Sequence, residues 1–178
     1  DVLNLLIGGE AGARGERAMQ RRIAQARLPK RKTLEEYQFD FPRKIPKQKV
    51  LRLFDCEFIR KHGCAVFVGG TGTGKSHLMT ALGYVACEKG IKVRYTRVID
   101  MINVLTTAQL NGTLENKLRD YVRPELLLLD ELGYLPIDKR GADLMFQVVA
   151  ARYEAGSIVL TTNRRFRDWG QIFDVDNT

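Results

Sequence analysis

The sequence predicts an α/β domain, a parallel sheet with helices on both faces, and three observations carry that prediction. Short β-favouring runs at 65–68, 92–96, 125–130 and 157–162 alternate with helix-patterned stretches. The first run leads directly into Gly69-Gly70-Thr71-Gly72-Thr73-Gly74-Lys75-Ser76, which satisfies GxxxxGK[ST], the phosphate-binding P-loop. The third run, four consecutive leucines, ends in the acidic pair Asp130-Glu131. A buried strand that delivers carboxylates at its C-terminal end places them where α/β sheets hold ligands.

Taken in order, residues 1–15 open with a short apolar run and loosen into glycines without a clear assignment. Residues 16–28 have helical spacing, with Met19, Ile23 and Ala26 on one face and arginines on the others, and Pro29 stops them. Thr33-Leu34-Glu35-Glu36 has capping-box form. Tyr37, Phe39 and Phe41 alternate with polar residues as in a half-buried extended segment, and 42–46 is a linker. An amphipathic helix is expected over 47–62, with Val50, Leu51, Phe54 and Phe58 inward and Gly63 as its stop. Helices are expected at 77–89 after the P-loop, at 100–110 and 113–121 on either side of Asn111-Gly112, and at 139–154. Phe166, Trp169, Ile172 and Phe173 are spaced for a short packed helix in the tail.

The motifs specify a chemistry. Glycines let the P-loop curl until its N–H groups converge on phosphate oxygens, and the following helix adds a positive dipole end. Lys75 reaches the β- and γ-phosphates and the Ser76 hydroxyl holds Mg²⁺. Asp130 contacts the same Mg²⁺, directly or through water, and Glu131 orients and activates the attacking water. Asn163, at the end of the fourth strand, fits a sensor that reads the γ-phosphate or positions that water. In nucleotide hydrolases with a catalytic Glu, this strand lies between the P-loop strand and the acidic strand. The Asp-Glu pair favours hydrolysis over small-molecule kinase chemistry, which needs lid arginines and an acceptor site. Arg140, Arg152, Arg164 and Arg165 are the in-chain candidates for an arginine finger.

Bulk composition narrows the partners. The 178 residues carry a net charge of +8, and the stretch from Arg14 to Lys61 holds fifteen Lys or Arg against six Asp or Glu. The basic excess is N-terminal and points to nucleic acid. Arg21, Arg22, Arg27, Lys30, Arg31 and Lys32 are the candidate phosphate contacts on double-stranded DNA. No apolar run approaches a membrane span and no basic-then-apolar leader precedes the first helix, so the expected location is cytoplasmic, with no membrane partner. Cys56, Cys64 and Cys87 lack CxxC spacing and read as reduced thiols.

Five stretches resemble one family: 69–78 through the P-loop to His77-Leu78, Leu-Leu-Leu-Leu-Asp-Glu-Leu-Gly-Tyr-Leu-Pro at 126–136, Gly-Ala-Asp-Leu-Met-Phe-Gln-Val-Val at 141–149, Arg-Tyr-Glu at 152–154, and Thr-Thr-Asn with Trp-Gly at 161–170. The chain resembles IstB, the ATP-binding helper of insertion-sequence transposition, a relative of the DnaC-type helicase loaders within the AAA+ ATPases. Thr33-Leu-Glu-Glu-Tyr-Gln-Phe resembles the segment that leads into that family's core. The resemblance implies ATP as the nucleotide, held by Gly69, Gly70, Thr71, Gly72, Thr73, Gly74, Lys75, Ser76 and His77, with Lys75, Glu131 and Asn163 catalytic. It implies a basic helical N-terminal region and linker over 1–45 and an ATPase core over 46–178. It further implies ATP-dependent self-assembly on DNA, recruitment or stimulation of a cognate transposase, and release on hydrolysis. Tyr134 is placed to touch DNA or a neighbouring subunit. The family pattern continues with an Asp-Arg-Leu stretch, a fifth strand and a helical lid, which supply the arginine finger and a second sensor; this sequence reaches Thr178 before them. Three competing readings are a DnaC-like loader of a replicative helicase, a DNA-coating scaffold that needs no turnover, and a small-molecule kinase.

Overall fold

Four parallel strands, β1 (Ala65–Val68), β2 (Val93–Arg97), β3 (Leu126–Leu132) and β4 (Ser157–Thr162), form one sheet in the order β1-β4-β3-β2. The computed structural model describes residues 2–40 and 45–173, with side chains from Arg14 onward. β3 lies between β2 and β4 and is buried on both faces, which is why it reads as an unbroken leucine run and not as an alternation. β4 lies between β1 and β3, the position expected of the strand that ends in Asn163.

Side chains alternate across the sheet and divide the core in two. Val93, Leu126, Leu128 and Val159 pack beneath α4 (Lys75–Glu88), together with α2 (Lys47–Phe54) and α3 (Glu57–Arg60). Leu127, Leu129 and Leu160 pack on the other face against α5 (Val98–Leu110), α6 (Leu114–Val122) and α7 (Lys139–Arg152). The parity that buries Leu126 and Leu128 under α4 also brings Asp130 to that face, beside the first turn of the same helix.

Several expected elements change. The first helix, α1 (Val2–Ala26), runs through the glycines that had no assignment and ends at Arg27, whose φ of 54° breaks it. Its C-terminal part packs on α4 and β2, and Ala26 and Tyr37 join the same apolar cluster as α4. The single helix expected over 47–62 is two helices. Cys56 adopts a left-handed φ of 62° between them, which rotates the second half. Val50 and Phe54 face inward as expected, Phe58 is half-buried, but Leu51 is 39% exposed, and Ile59 takes the inward place. Tyr37, whose N–H closes a turn on the Leu34 carbonyl, and Phe39, in the next turn, form no strand and pack edge-to-face with centroids 5.0 Å apart. Phe41, residues 42–44 of the linker and the tail from 174 lie outside the described residues. The expected tail helix is a 3₁₀ segment, Phe166–Gln171, after which Ile172 is buried in the second core. Among the described residues no helix is long and apolar enough to cross a membrane.

Candidate active site

The P-loop opens at the end of β1, where the Gly69 N–H donates to the Thr162 carbonyl and sets the loop beside the end of β4. Gly74 closes the loop with φ 79°, and a Cβ there would lie 2.5 Å from the Tyr37 ring, so glycine is required twice over. Tyr37 straps the loop from outside: its hydroxyl donates to the Thr73 carbonyl at 3.0 Å. Lys75 is 8% exposed and its Nζ donates to the Gly70 carbonyl at 2.7 Å. Burial lowers the Lys75 pKa, against which the Asp130 charge acts. Thr71 and Gly72 lie on the exposed rim of the loop.

Asp130 is 2% exposed and is bound by hydroxyls from three elements. Ser76 Oγ donates to Oδ1 at 2.9 Å, Thr161 Oγ1 donates to the same oxygen, and Tyr95 OH donates to Oδ2 at 2.8 Å. Among the described residues Asp130 has no ion pair. A buried carboxylate satisfied by neutral donors alone suits a cation, because bringing a charge out of water is costly without one. Burial first, then the charge and hydrogen bond of Asp130, push the Tyr95 hydroxyl pKa far up, so Tyr95 stays a proton donor at every physiological pH.

Glu131 is set by a break in the ladder. The β3–β4 register shifts between Leu129 and Leu132, and Glu131 takes a left-handed φ of 65°. Such a bulge re-aims a side chain that regular alternation would send to the opposite face. The Glu131 N–H is caught by Thr161 Oγ1 at 2.9 Å, and Thr162 Oγ1 donates to the Leu132 carbonyl at 2.8 Å, so adjacent threonines clamp the bulge on both sides. Asn163 follows directly, and its Oδ1 is buried without a hydrogen-bond partner. An orphaned polar atom at the end of the strand beside the P-loop is what a ligand-reading residue shows when it has no ligand to bond.

These residues fit a nucleoside triphosphate with Mg²⁺. The loop N–H groups and Lys75 would bind phosphate oxygens, and Ser76 and Asp130 would hold the metal. Bound there, Mg²⁺ neutralises charge on the β- and γ-phosphates. Glu131 would take the proton of the attacking water, with Asn163 hydrogen-bonded to the water or to the γ-phosphate. His77, grouped with the ATP ligands by sequence, spends its ring elsewhere: Nε2 lies 2.7 Å from the Thr33 carbonyl and the ring meets Tyr37 edge-on.

The candidate fingers separate. Arg152 is 1% exposed and donates to the carbonyls of Tyr121, Val122, Pro124, Glu125 and Ser157. Burial lowers its pKa to about 10. It ties the end of α6 to the starts of β3 and β4 and cannot reach a neighbouring site. Arg140, Arg164 and Arg165 are exposed.

The basic residues divide as well. Arg22 Nε donates to the Cys87 carbonyl at the end of α4, and Arg31 pairs with Glu88 at 3.2 Å. Leu28 fills the space that a Cβ on Gly83 would take, and Tyr84 OH bonds the Pro29 carbonyl. Together with the His77–Thr33 and Tyr37–Thr73 bonds, these contacts run the arm along α4 from its C-terminus to the P-loop. Arg21, Arg27, Lys30 and Lys32 stay exposed.

Comparison with known proteins agrees with this geometry. The family described as IstB-like ATP binding protein matches residues 1–178. The chain belongs to that family. It is 34% identical to the insertion sequence IS232 putative ATP-binding protein of Bacillus thuringiensis subsp. berliner over 97% of this chain and 69% of the relative. It is 36% identical to the IS5376 counterpart of Geobacillus stearothermophilus over 97% and 68%. The IS21 counterpart of Pseudomonas aeruginosa is also 36% identical, over 97% and 65%. Among solved structures, the replication initiator DnaA bound to AMPPCP and single-stranded DNA superposes with a TM-score of 0.72 at 23% identity, over 83% of this chain and 46% of that one. The DnaC helicase loader superposes with a TM-score of 0.62 at 23% identity, over 79% and 81%. This IstB-like chain thus has the AAA+ P-loop fold and, by family, an ATP-binding site. It spans about two thirds of its insertion-sequence relatives and less than half of DnaA.

Sequence reasoning missed Tyr95 and Thr161 as site residues and favoured core packing over a nucleotide contact for Tyr37. Strand parity could have found Thr161, which shares a face with Val159. Tyr95 needed the β2–β3 register, and no local pattern shows that a ring 36 residues from Thr73 straps the P-loop.

Proposed function

We propose that this IstB-like chain is an ATP-dependent regulator of DNA transposition. It binds ATP with Mg²⁺, self-assembles on double-stranded DNA in the ATP state, recruits or stimulates a cognate transposase, and leaves the DNA after hydrolysis. Lys75, Glu131 and Asn163 serve the hydrolysis, and Ser76 and Asp130 hold the Mg²⁺. Arg21, Arg27, Lys30 and Lys32 contact DNA phosphates, while Arg22 and Arg31 hold the arm that presents them.

The observation that carries this reading is Glu131 on its bulge, next to a metal-ready Asp130 and the orphaned Asn163 Oδ1. A scaffold that merely bound ATP would not need a base held in a disfavoured backbone conformation. Insertion-sequence relatives at 34–36% identity support transposition. The helicase-loader reading rests on likeness of fold alone.

Sedimentation with duplex DNA and a non-hydrolysable ATP analogue tests the assembly. Large nucleotide-dependent complexes are expected, with phosphate release from ATP when the natural nucleotide replaces the analogue. Monomers under those conditions, or turnover unchanged in Glu131→Gln, would overturn it.

A further inference from the structure

We propose that Tyr95 and Thr161 are positioning residues of the hydrolytic site: their hydroxyls hold the Asp130 carboxylate in its metal-binding orientation, and Thr161 also fixes the bulge that aims Glu131. The inference rests on the reading of Asp130 as metal ligand and Glu131 as base.

Three hydroxyls reach Asp130, but they are not equivalent. Ser76 is itself a metal ligand in that reading, so its hydroxyl would serve both the metal and Oδ1. Thr161 and Tyr95 have no such second engagement with phosphate or metal. They bond opposite oxygens of the carboxylate, Oδ1 and Oδ2, from the two strands that flank β3. A carboxylate held at both oxygens from both sides has lost its rotation about the terminal bond before any metal is present. Outer-shell partners of this kind orient a ligand and commonly tune metal affinity or activity.

Thr161 does a second thing. Its oxygen donates to Asp130 and accepts from the Glu131 N–H at 2.9 Å. A left-handed φ is disfavoured for a glutamate and must be fixed by its surroundings. One hydroxyl thus couples the metal ligand to the base that follows it in the chain. Thr162 supplies a matched contrast: it also bonds β3, at the Leu132 carbonyl, and makes no hydrogen bond to Asp130.

The test uses the whole chain and a fluorescent ATP analogue titrated with Mg²⁺, alongside steady-state hydrolysis. Tyr95→Phe is expected to raise the Mg²⁺ needed for half-maximal tight binding by about 10-fold, leaving binding in EDTA unchanged. Thr161→Val is expected to raise it similarly and to lower kcat by about 10–100-fold with a smaller change in KM. Thr161→Ser is expected to restore both. Thr162→Val is expected to lower Tm without moving the Mg²⁺ requirement. If Thr161→Val does not fold, Tyr95→Phe and Thr161→Ser still decide. An unmoved Mg²⁺ requirement in Tyr95→Phe, or Thr161→Ser behaving as a full loss, overturns the proposal. If Asp130→Asn and Glu131→Gln also leave binding and turnover intact, the hydrolytic reading itself has failed.

Discussion

The phosphate site and the basic arm are both polar, but they are built in opposite ways. In the site, residues are held from elsewhere in the fold: the Asp130 carboxylate by Ser76, Tyr95 and Thr161, Lys75 by the Gly70 carbonyl, and the Glu131 backbone N–H by Thr161. In the arm, Arg21, Arg27, Lys30 and Lys32 face solvent, and the contacts that hold the arm come mostly from other groups, such as Arg22, Leu28 and the Pro29 and Thr33 carbonyls. A site that performs one reaction must fix its atoms. A surface that tracks phosphates needs charge within a Debye length and little else. The difference predicts sharp, residue-specific losses in the first region and graded, salt-dependent ones in the second.

The sharpest break is in the chemistry. Glu131→Gln is expected to lower kcat by about 10²–10⁴-fold while ATP still binds, read by phosphate release and by nucleotide titration. A binding loss as large as the rate loss would mean that Glu131 has no special part in the reaction. Next comes Arg152. Arg152→Met strands five carbonyls and should destabilise the fold by about 3–5 kcal/mol, measured by urea denaturation. A finger acting on a neighbour would instead leave the fold intact and remove assembly-dependent turnover.

The strap joins the two regions, so its effect is intermediate. Tyr37→Phe loses one hydrogen bond to the P-loop and should cost about 1 kcal/mol of stability. ATP affinity should weaken by up to about tenfold, and equal affinity would mean that the strap does not shape the loop. The smallest effects belong to the exposed charges. Replacing Arg21, Arg27, Lys30 and Lys32 by Gln should flatten the log–log salt dependence of DNA binding by about 0.9 for each lost phosphate contact. Basal ATP hydrolysis should not change. Replacing Arg22 alone should lower Tm more than it flattens that slope.

The same contrast explains what could be read from the sequence. The P-loop, Asp130-Glu131 and Asn163 were legible because phosphate and metal chemistry demand fixed residue types at fixed places on strand ends. The place of β4 between β1 and β3 followed from the expected sensor position. The break at Cys56 was not legible, since a left-handed cysteine has no sequence signal and the apolar spacing of 47–62 runs through it. Nor was the length of α1, whose glycines weaken the helical pattern without ending it. Arg152 shows the limit most clearly. As an arginine it was a finger candidate by residue type alone, and only tertiary packing shows the five carbonyls that its guanidinium holds. The charges of the arm could be counted in advance, but not divided into those that grip α4 and those that remain free.

The most direct measurement is the lifetime of the protein on duplex DNA after a single addition of ATP and Mg²⁺, compared between the wild-type chain and Glu131→Gln. If hydrolysis at this site is the release step, the wild-type chain leaves the DNA as ATP is consumed and the Glu131→Gln chain stays bound. Equal lifetimes would contradict the account, leaving ATP at the P-loop without control over the arm.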